Sequence, residues 1–134
     1  DEMQRFGIQL WLAPALNIHR DIRCGRNFEY YSEDPYITGK IAAAITRGVQ
    51  KHPGCGVTLK HFAANNQETN RYNSNSLVSE RAMREIYLKP FEMCVKEYNQ
   101  KSIMTRFSTS LRDGLPKGCI LKRHQQQRRI AKWL

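Results

Sequence analysis

The chain has 134 residues, of which 40% are hydrophobic and 25% charged, the length and composition of one ordinary globular domain. Its longest apolar runs, residues 8–16 and 41–45, fall short of the roughly 20 residues that a membrane-spanning helix needs. The net charge of +10 invites a nucleic-acid reading, but residues 1–105 hold 14 Lys/Arg against 11 Asp/Glu while residues 106–134 hold 8 against 1, so the excess sits in the C-terminal stretch.

Residues 8–16 (IQLWLAPAL) form an apolar run of strand length bounded by Gly7 and by polar Asn17, His19 and Arg20, which predicts a buried strand. Residues 21–34 read as a long polar connection rich in Arg and aromatics, and such a loop on a compact fold is more often functional than idle. Asp34-Pro35 then marks a helix start: Asp caps free amides, and Pro at the first helical position lacks the donor that would go unpaired. The helix should run over residues 36–50 with Ile37, Ile41, Ala44, Ile45 and Gly48 on its buried stripe, ending at His52-Pro53-Gly54.

A second strand is predicted over residues 56–61, and Ser79 caps a second helix over residues 80–99. That helix should bury Met83, Ile86, Tyr87, Phe91, Cys94 and Tyr98 and bend at Pro90. Residues 102–105 are expected to form a short third strand. The order strand, helix, strand, helix, strand implies crossover connections and parallel strands, hence an α/β fold. Polar residues in the loops after successive strands favour part of a (β/α)8 TIM barrel over an open doubly wound sheet.

The densest chemistry lies in residues 57–71, where an apolar strand delivers Lys60 and His61 side by side into Phe62-Ala63-Ala64-Asn65-Asn66-Gln67-Glu68-Thr69-Asn70-Arg71. Adjacent donors followed by amides, a carboxylate and a guanidinium suit a polyhydroxylated ligand, whose oxygens need many donors and acceptors. The same residues would also serve a buried strand end whose polar groups are satisfied locally. Cys24, Cys55, Cys94 and Cys119 are widely spaced, with no Cys-x-x-Cys pair or local His cluster. They read as reduced thiols, with no metal and no cofactor expected and a cytoplasmic setting favoured. Asp1-Glu2 shows neither the basic region nor the apolar stretch of a leader, and an opening Asp in place of Met leaves the natural start expected upstream.

Three stretches carry a resemblance. Gly25-Arg26-Asn27-Phe28-Glu29-Tyr30-Tyr31-Ser32-Glu33-Asp34-Pro35, then Lys60-His61-Phe62 with Asn65-Asn66-Gln67-Glu68, then Ser79-Glu80-Arg81-Ala82-Met83-Arg84-Glu85-Ile86-Tyr87-Leu88-Lys89-Pro90-Phe91-Glu92 resemble glycoside hydrolase family 3, most of all its bacterial β-glucosidases. The resemblance implies a retaining mechanism on a barrel domain, with an aspartate as nucleophile and a glutamate from a further domain as acid/base. By motif it assigns Arg26, Lys60, His61 and Arg71 to the hydroxyls of a nonreducing-end β-D-glucoside, directly or through the partners they hold. Arg26 has a structural alternative in pairing with Glu29 or Glu33. Glu33-Asp34 reads as a helix cap rather than a catalytic pair, Glu68 as support for the site, and His19, His52 and His124 as ordinary.

The resemblance thins after residue 105. Where the family has approximately Met-Thr-Ser-Tyr-Asn, this chain reads Met104-Thr105-Arg106-Phe107-Ser108, and a phenyl ring cannot give the hydrogen bond of the tyrosine it replaces. Asp113, the sole acid after residue 105, lies in a turn-like Arg112-Asp113-Gly114-Leu115-Pro116. The expected organisation is therefore a barrel-domain fragment over residues 1–105 and a basic tail over 106–134, disordered or read in a shifted frame. A full barrel takes about 250 residues, so about three of eight strands are expected, with uncovered edges and weak independent stability. The expected function is that of a β-glucosidase fragment, inactive alone because the catalytic aspartate is missing. The alternatives are a noncatalytic carbohydrate-binding remnant and a nucleic-acid-binding module using Lys122, Arg123, Arg128, Arg129, Lys132 and Trp133. The expected partner is a β-glucoside or related oligosaccharide, with no nucleic acid and no membrane, and a complete site needs the missing barrel and C-terminal domain segments.

Overall fold

The computed structural model describes residues 1–74, 76–98, 102–105 and 120–122. Four strands form one sheet in the order β1 (Leu10–Trp11), β2 (Gly56–Phe62), β3 (Ser102–Thr105) and β4 (Ile120–Lys122). The first three are parallel, as the crossover pattern predicts, with Leu10 opposite Gly56 and Thr58 opposite Ser102. β4 runs antiparallel to β3, placing Leu121 opposite Ile103. A strand thus lies within the stretch read as a basic tail, and its direction departs from the all-parallel pattern of a (β/α)8 barrel. His124, Phe107, Asp113, Cys119 and the basic residues after Lys122 lie outside the described residues. Among those described, no helix is long and apolar enough to cross a membrane.

The first strand is shorter and less buried than its composition suggests. Only Leu10–Trp11 is regular, at 38% and 43% exposure, whereas the buried part of that run is Pro14, Ala15 and Leu16. Pro14 has no N–H to give to a ladder. The segment nevertheless stays beside β2, its carbonyls accepting from Thr58 N at Ala13 (3.1 Å) and from Lys60 N at Pro14 (3.0 Å). Leu16 N returns a bond to Lys60 O at 2.6 Å.

After a short N-terminal helix α1 (Glu2–Arg5), the first long helix is α2 (Pro35–Gln50). Asp34 caps it as expected, its Oδ1 accepting from Tyr36 N (2.7 Å) and Ile37 N (3.1 Å). The buried stripe is not the expected one. Ile37 and Ile41 are exposed, and the face against the core is Thr38, Gly39, Ala42, Ala43 and Thr46. Close helix packing explains the choice: a Cβ at Gly39 would stand 2.5 Å from Met93 Sδ and 3.3 Å from Pro90 Cα, so a larger residue would force the Met93 side chain to shift.

Residues 80–98, expected as one kinked helix, form three segments: α3 (Glu80–Ala82), a π-helical turn (Met83–Tyr87) and α4 (Lys89–Tyr98). Leu88 N reaches back five residues to Met83 O at 2.8 Å. Pro90 has no N–H for the Ile86 carbonyl and its ring crowds that carbonyl, so the wider turn just before it is where a strict α-helix is least tenable. Ser79 Oγ caps α3 by accepting from Ala82 N at 3.3 Å. The resulting core joins Leu16, Val57, Leu59, Phe62, Leu88, Phe91 and Ile103, with the Phe62 and Phe91 rings edge to face at 5.1 Å.

Candidate functional site

A parallel sheet leaves its loops and strand ends free to carry chemistry at the carboxyl edge. Here a cavity of about 270 Å³ opens at that edge, lined by Leu12, Arg26, Lys60, His61, Asn65, Arg71, Met104 and Thr105. All four residues singled out from the sequence therefore surround one space, although they span 46 positions of chain. Lys60 and His61 come from the end of β2, across a cis peptide bond. Arg26 comes from the loop after β1, just before the 3₁₀ turn Asn27–Glu29, and Arg71 from the loop after β2. Asn65, Met104 and Thr105 also line the cavity and were not singled out; Asn65 sits inside the quoted motif, but nothing in its residue type marks its direction.

Carboxylates behind the wall hold the cations in place. Glu29 binds Lys60 Nζ at 2.9 Å and pairs with Arg26, which is the structural partner anticipated for that arginine. Burial opposes the charge on Glu29, but hydrogen bonds from Lys60 and Arg26 outweigh it and hold the carboxyl below its ordinary pKa. Glu68 accepts from Arg71 Nη1 at 2.9 Å and from Asn65 Nδ2 at 2.7 Å. Asn65 also donates to the Tyr30 hydroxyl (2.9 Å), which in turn donates to Asn65 O (3.1 Å). Burial pushes the Tyr30 phenol up to about 12, so it stays a neutral donor.

His61 is buried, with its ring edge-on to Tyr30 at 6.5 Å between centroids. Burial, reinforced by the nearby Arg26 charge, pushes its pKa down to about 3, and the imidazole is neutral near pH 7. His19, expected to be ordinary and partnerless, does have partners: its Nε2 lies 3.1 Å from Asn27 O and its ring faces Tyr30. It steadies the loop that carries Arg26. Cys24, Cys55 and Cys94 are buried free thiols, and burial raises Cys94 to about 12. Among the described residues no cluster of His, Cys, Asp or Glu could hold a metal ion.

The polar residues that face the cavity are three cations, one amide, one hydroxyl and one imidazole, set beside apolar Leu12 and Met104, and no acid is among these lining residues. Such a wall can orient a neutral polyol by many hydrogen bonds.

The family model described as the glycosyl hydrolase family 3 N-terminal domain matches residues 1–118. The chain belongs to glycosyl hydrolase family 3. The match passes residue 105 and covers most of the sequence. β-Glucosidase A of Butyrivibrio fibrisolvens is 58% identical over 97 residues, which are 72% of this chain and 12% of that protein. β-Glucosidase B of Emericella nidulans is 49% identical over 108 residues, 81% of this chain and 13% of its own length. Among solved structures, β-glucosidase 3B of Thermotoga neapolitana in complex with α-D-glucose superposes with a TM-score of 0.76 at 53% identity, over 78% of this chain and 14% of that one. The chain thus spans a small part of the relatives it matches. Its α/β architecture with three parallel strands is that of part of the barrel domain of these family 3 neighbours.

Proposed function

We propose that this chain supplies the sugar-holding wall of a retaining β-glucosidase site, with Arg26, Lys60, His61 and Arg71 gripping the hydroxyls of a nonreducing-end β-D-glucosyl unit. The observation that carries the reading is the convergence of these four side chains on one cavity from three separate segments. The names of the relatives, and the glucose bound in the Thermotoga neapolitana enzyme, support the choice of sugar. A guanidinium offers a fixed fork of donors and an ammonium three mobile ones, so each hydroxyl finds a matched partner.

On this reading the chain alone holds sugar without cleaving it. Retaining hydrolysis needs two carboxyl groups about 5 Å apart across the scissile bond. Among the described residues no acid lines the cavity, and Glu29 and Glu68, which pair with its cations, are both held in ion pairs. A nucleophile and an acid/base must then come from further segments of barrel and from another domain.

Calorimetry with glucose and hydrolysis of an aryl β-glucoside test both halves. The 134-residue chain should bind glucose, Lys60→Met should weaken binding about tenfold or more, as loss of a charged hydrogen bond does, and neither protein should release the aglycone. Turnover that disappears on changing Lys60 or His61 would overturn the missing-nucleophile claim. Absence of glucose binding by folded chain would sink the sugar site itself.

A further inference from the structure

A sugar hydroxyl both accepts and donates, yet Arg26, Lys60 and Arg71 have no acceptor atom to offer. His61 has one, provided that the proton of its neutral ring sits on the far nitrogen. Asn17 decides which nitrogen that is. It is buried, 44 positions before His61, and its amide spans the His61 peptide: Nδ2 donates to His61 O at 3.0 Å, and His61 N donates to Oδ1 at 2.9 Å. A backbone N–H can only donate and a carbonyl can only accept, so the amide cannot be turned round. The same Oδ1 lies 3.1 Å from His61 Nδ1. Two acceptors do not bond to each other, and Nδ1 must therefore carry the proton. Nε2 is left with a lone pair, and among the described residues it has no hydrogen-bond partner, while His61 is one of the residues lining the cavity.

We propose that Asn17 is a positioning residue that fixes the neutral His61 ring with its proton on Nδ1, so that Nε2 is an acceptor for a sugar hydroxyl in the cavity. The assignment rests on the sugar-site reading for the identity of the donor, but not for the state of the ring. The charged groups facing His61 are Arg26, Lys60 and Arg71, which disfavour imidazolium, and Glu29, which favours it. Their balance, together with burial, keeps the acceptor in place across the acidic range. The arrangement divides the labour: three cations receive the hydroxyl lone pairs, and one imidazole takes a hydroxyl proton in a hydrogen bond. A ligand lacking that hydroxyl proton, such as the matching O-methyl sugar, is disfavoured.

The ring state is read directly by long-range proton–nitrogen NMR correlation on the 134-residue chain. The expected result is the Nδ1–H form of His61 from about pH 8 down to about pH 5. An Nε2–H ring, or a ring that protonates near the ordinary histidine pKa of about 6.5, overturns the proposal even if glucose binds. Asn17→Asp keeps an acceptor for Nδ1–H but sets a carboxylate beside the ring. It should raise the His61 pKa and turn Nε2 into a donor at about pH 5, so that glucose affinity falls about tenfold between about pH 8 and about pH 5. The unsubstituted chain should change by less than about twofold over the same range. A flat profile in folded Asn17→Asp whose ring does protonate would show that Nε2 accepts nothing from the sugar. If the variant does not fold, the NMR assignment and the loss of affinity for O-methyl sugars in the unsubstituted chain still decide the matter. If folded chain carries the Nδ1–H ring yet binds no glucose, the sugar reading fails and the ring assignment stands.

Discussion

β1 and β2 lie side by side in one sheet and reverse what their sequences promise. Residues 8–12, Ile-Gln-Leu-Trp-Leu, are more apolar than β2, which carries Thr58, Lys60 and His61. Yet every residue of β2 is buried except half-buried Lys60, while residues 8–12 all stand exposed. The difference is in neighbours. β2 has a parallel partner on each edge and the α2–α4 layer against one face, whereas among the described residues β1 pairs only with β2. Apolar composition thus states what a strand is able to bury, and the elements around it settle whether it does.

The contrast breaks most sharply inside β2. Leu59 is fully buried in the core that includes Phe91 and Ile103. Leu59→Ala removes three carbon atoms from a packed site and leaves a cavity, and should cost about 2–5 kcal/mol of stability. Chemical denaturation followed by circular dichroism measures it. A loss below about 1 kcal/mol would mean that β2 is not held by the layer described here.

Burial of β2 also carries a pH cost that β1, with no titratable side chain, does not. His61 is held at about 3 in the fold, against about 6.5 in an unfolded chain. As pH falls below about 6.5 the unfolded chain gains a proton that the folded chain refuses. Stability is therefore full above that value and declines toward about pH 3, by up to about 1.4 kcal/mol per pH unit from this group. Between about pH 6.5 and 5 the loss should approach about 2 kcal/mol, before carboxylates with ordinary values near 4 begin to contribute. Denaturation midpoints at several pH values check the slope, and His61→Gln should flatten it. Equal stability at about pH 7 and pH 5 in the unsubstituted chain would contradict a neutral, buried His61.

Local signals were the legible part of this molecule. Asp34-Pro35 and Ser79 announce helix starts, and both side chains cap as their chemistry requires. The alternation of strand and helix announces a parallel sheet, and the motifs around Arg26, Lys60, His61 and Arg71 announce residues that meet in one cavity. What could not be read depends on partners distant in sequence. The stripe of α2 is a small-residue face because Met93 approaches Gly39, a fact of helix spacing absent from the hydropathy of residues 35–50. Asn17 looked like the polar end of a strand, and nothing near it in sequence points to its contacts with His61. The π-helical turn before Pro90 is a backbone response to a missing donor, for which a kink was the nearest sequence-level expectation.

The smallest effect should lie on the exposed side of the comparison. Leu10 is 38% exposed and is not a member of the core cluster, and its backbone pairing opposite Gly56 needs no particular side chain. Thr keeps strand propensity while removing apolar surface, so Leu10→Thr should shift stability by no more than about 0.5 kcal/mol. Its effect should show in association instead. Phe6, Ile8, Leu10, Trp11 and Leu12 form an exposed apolar edge, and an uncovered strand edge of that kind promotes contact between copies. Light scattering of the chain and of Leu10→Thr at matched concentration should show less self-association in the variant, with the denaturation midpoint unmoved. A stability loss approaching that of Leu59→Ala would instead place Leu10 in the core, and the distinction between the two strands would fail.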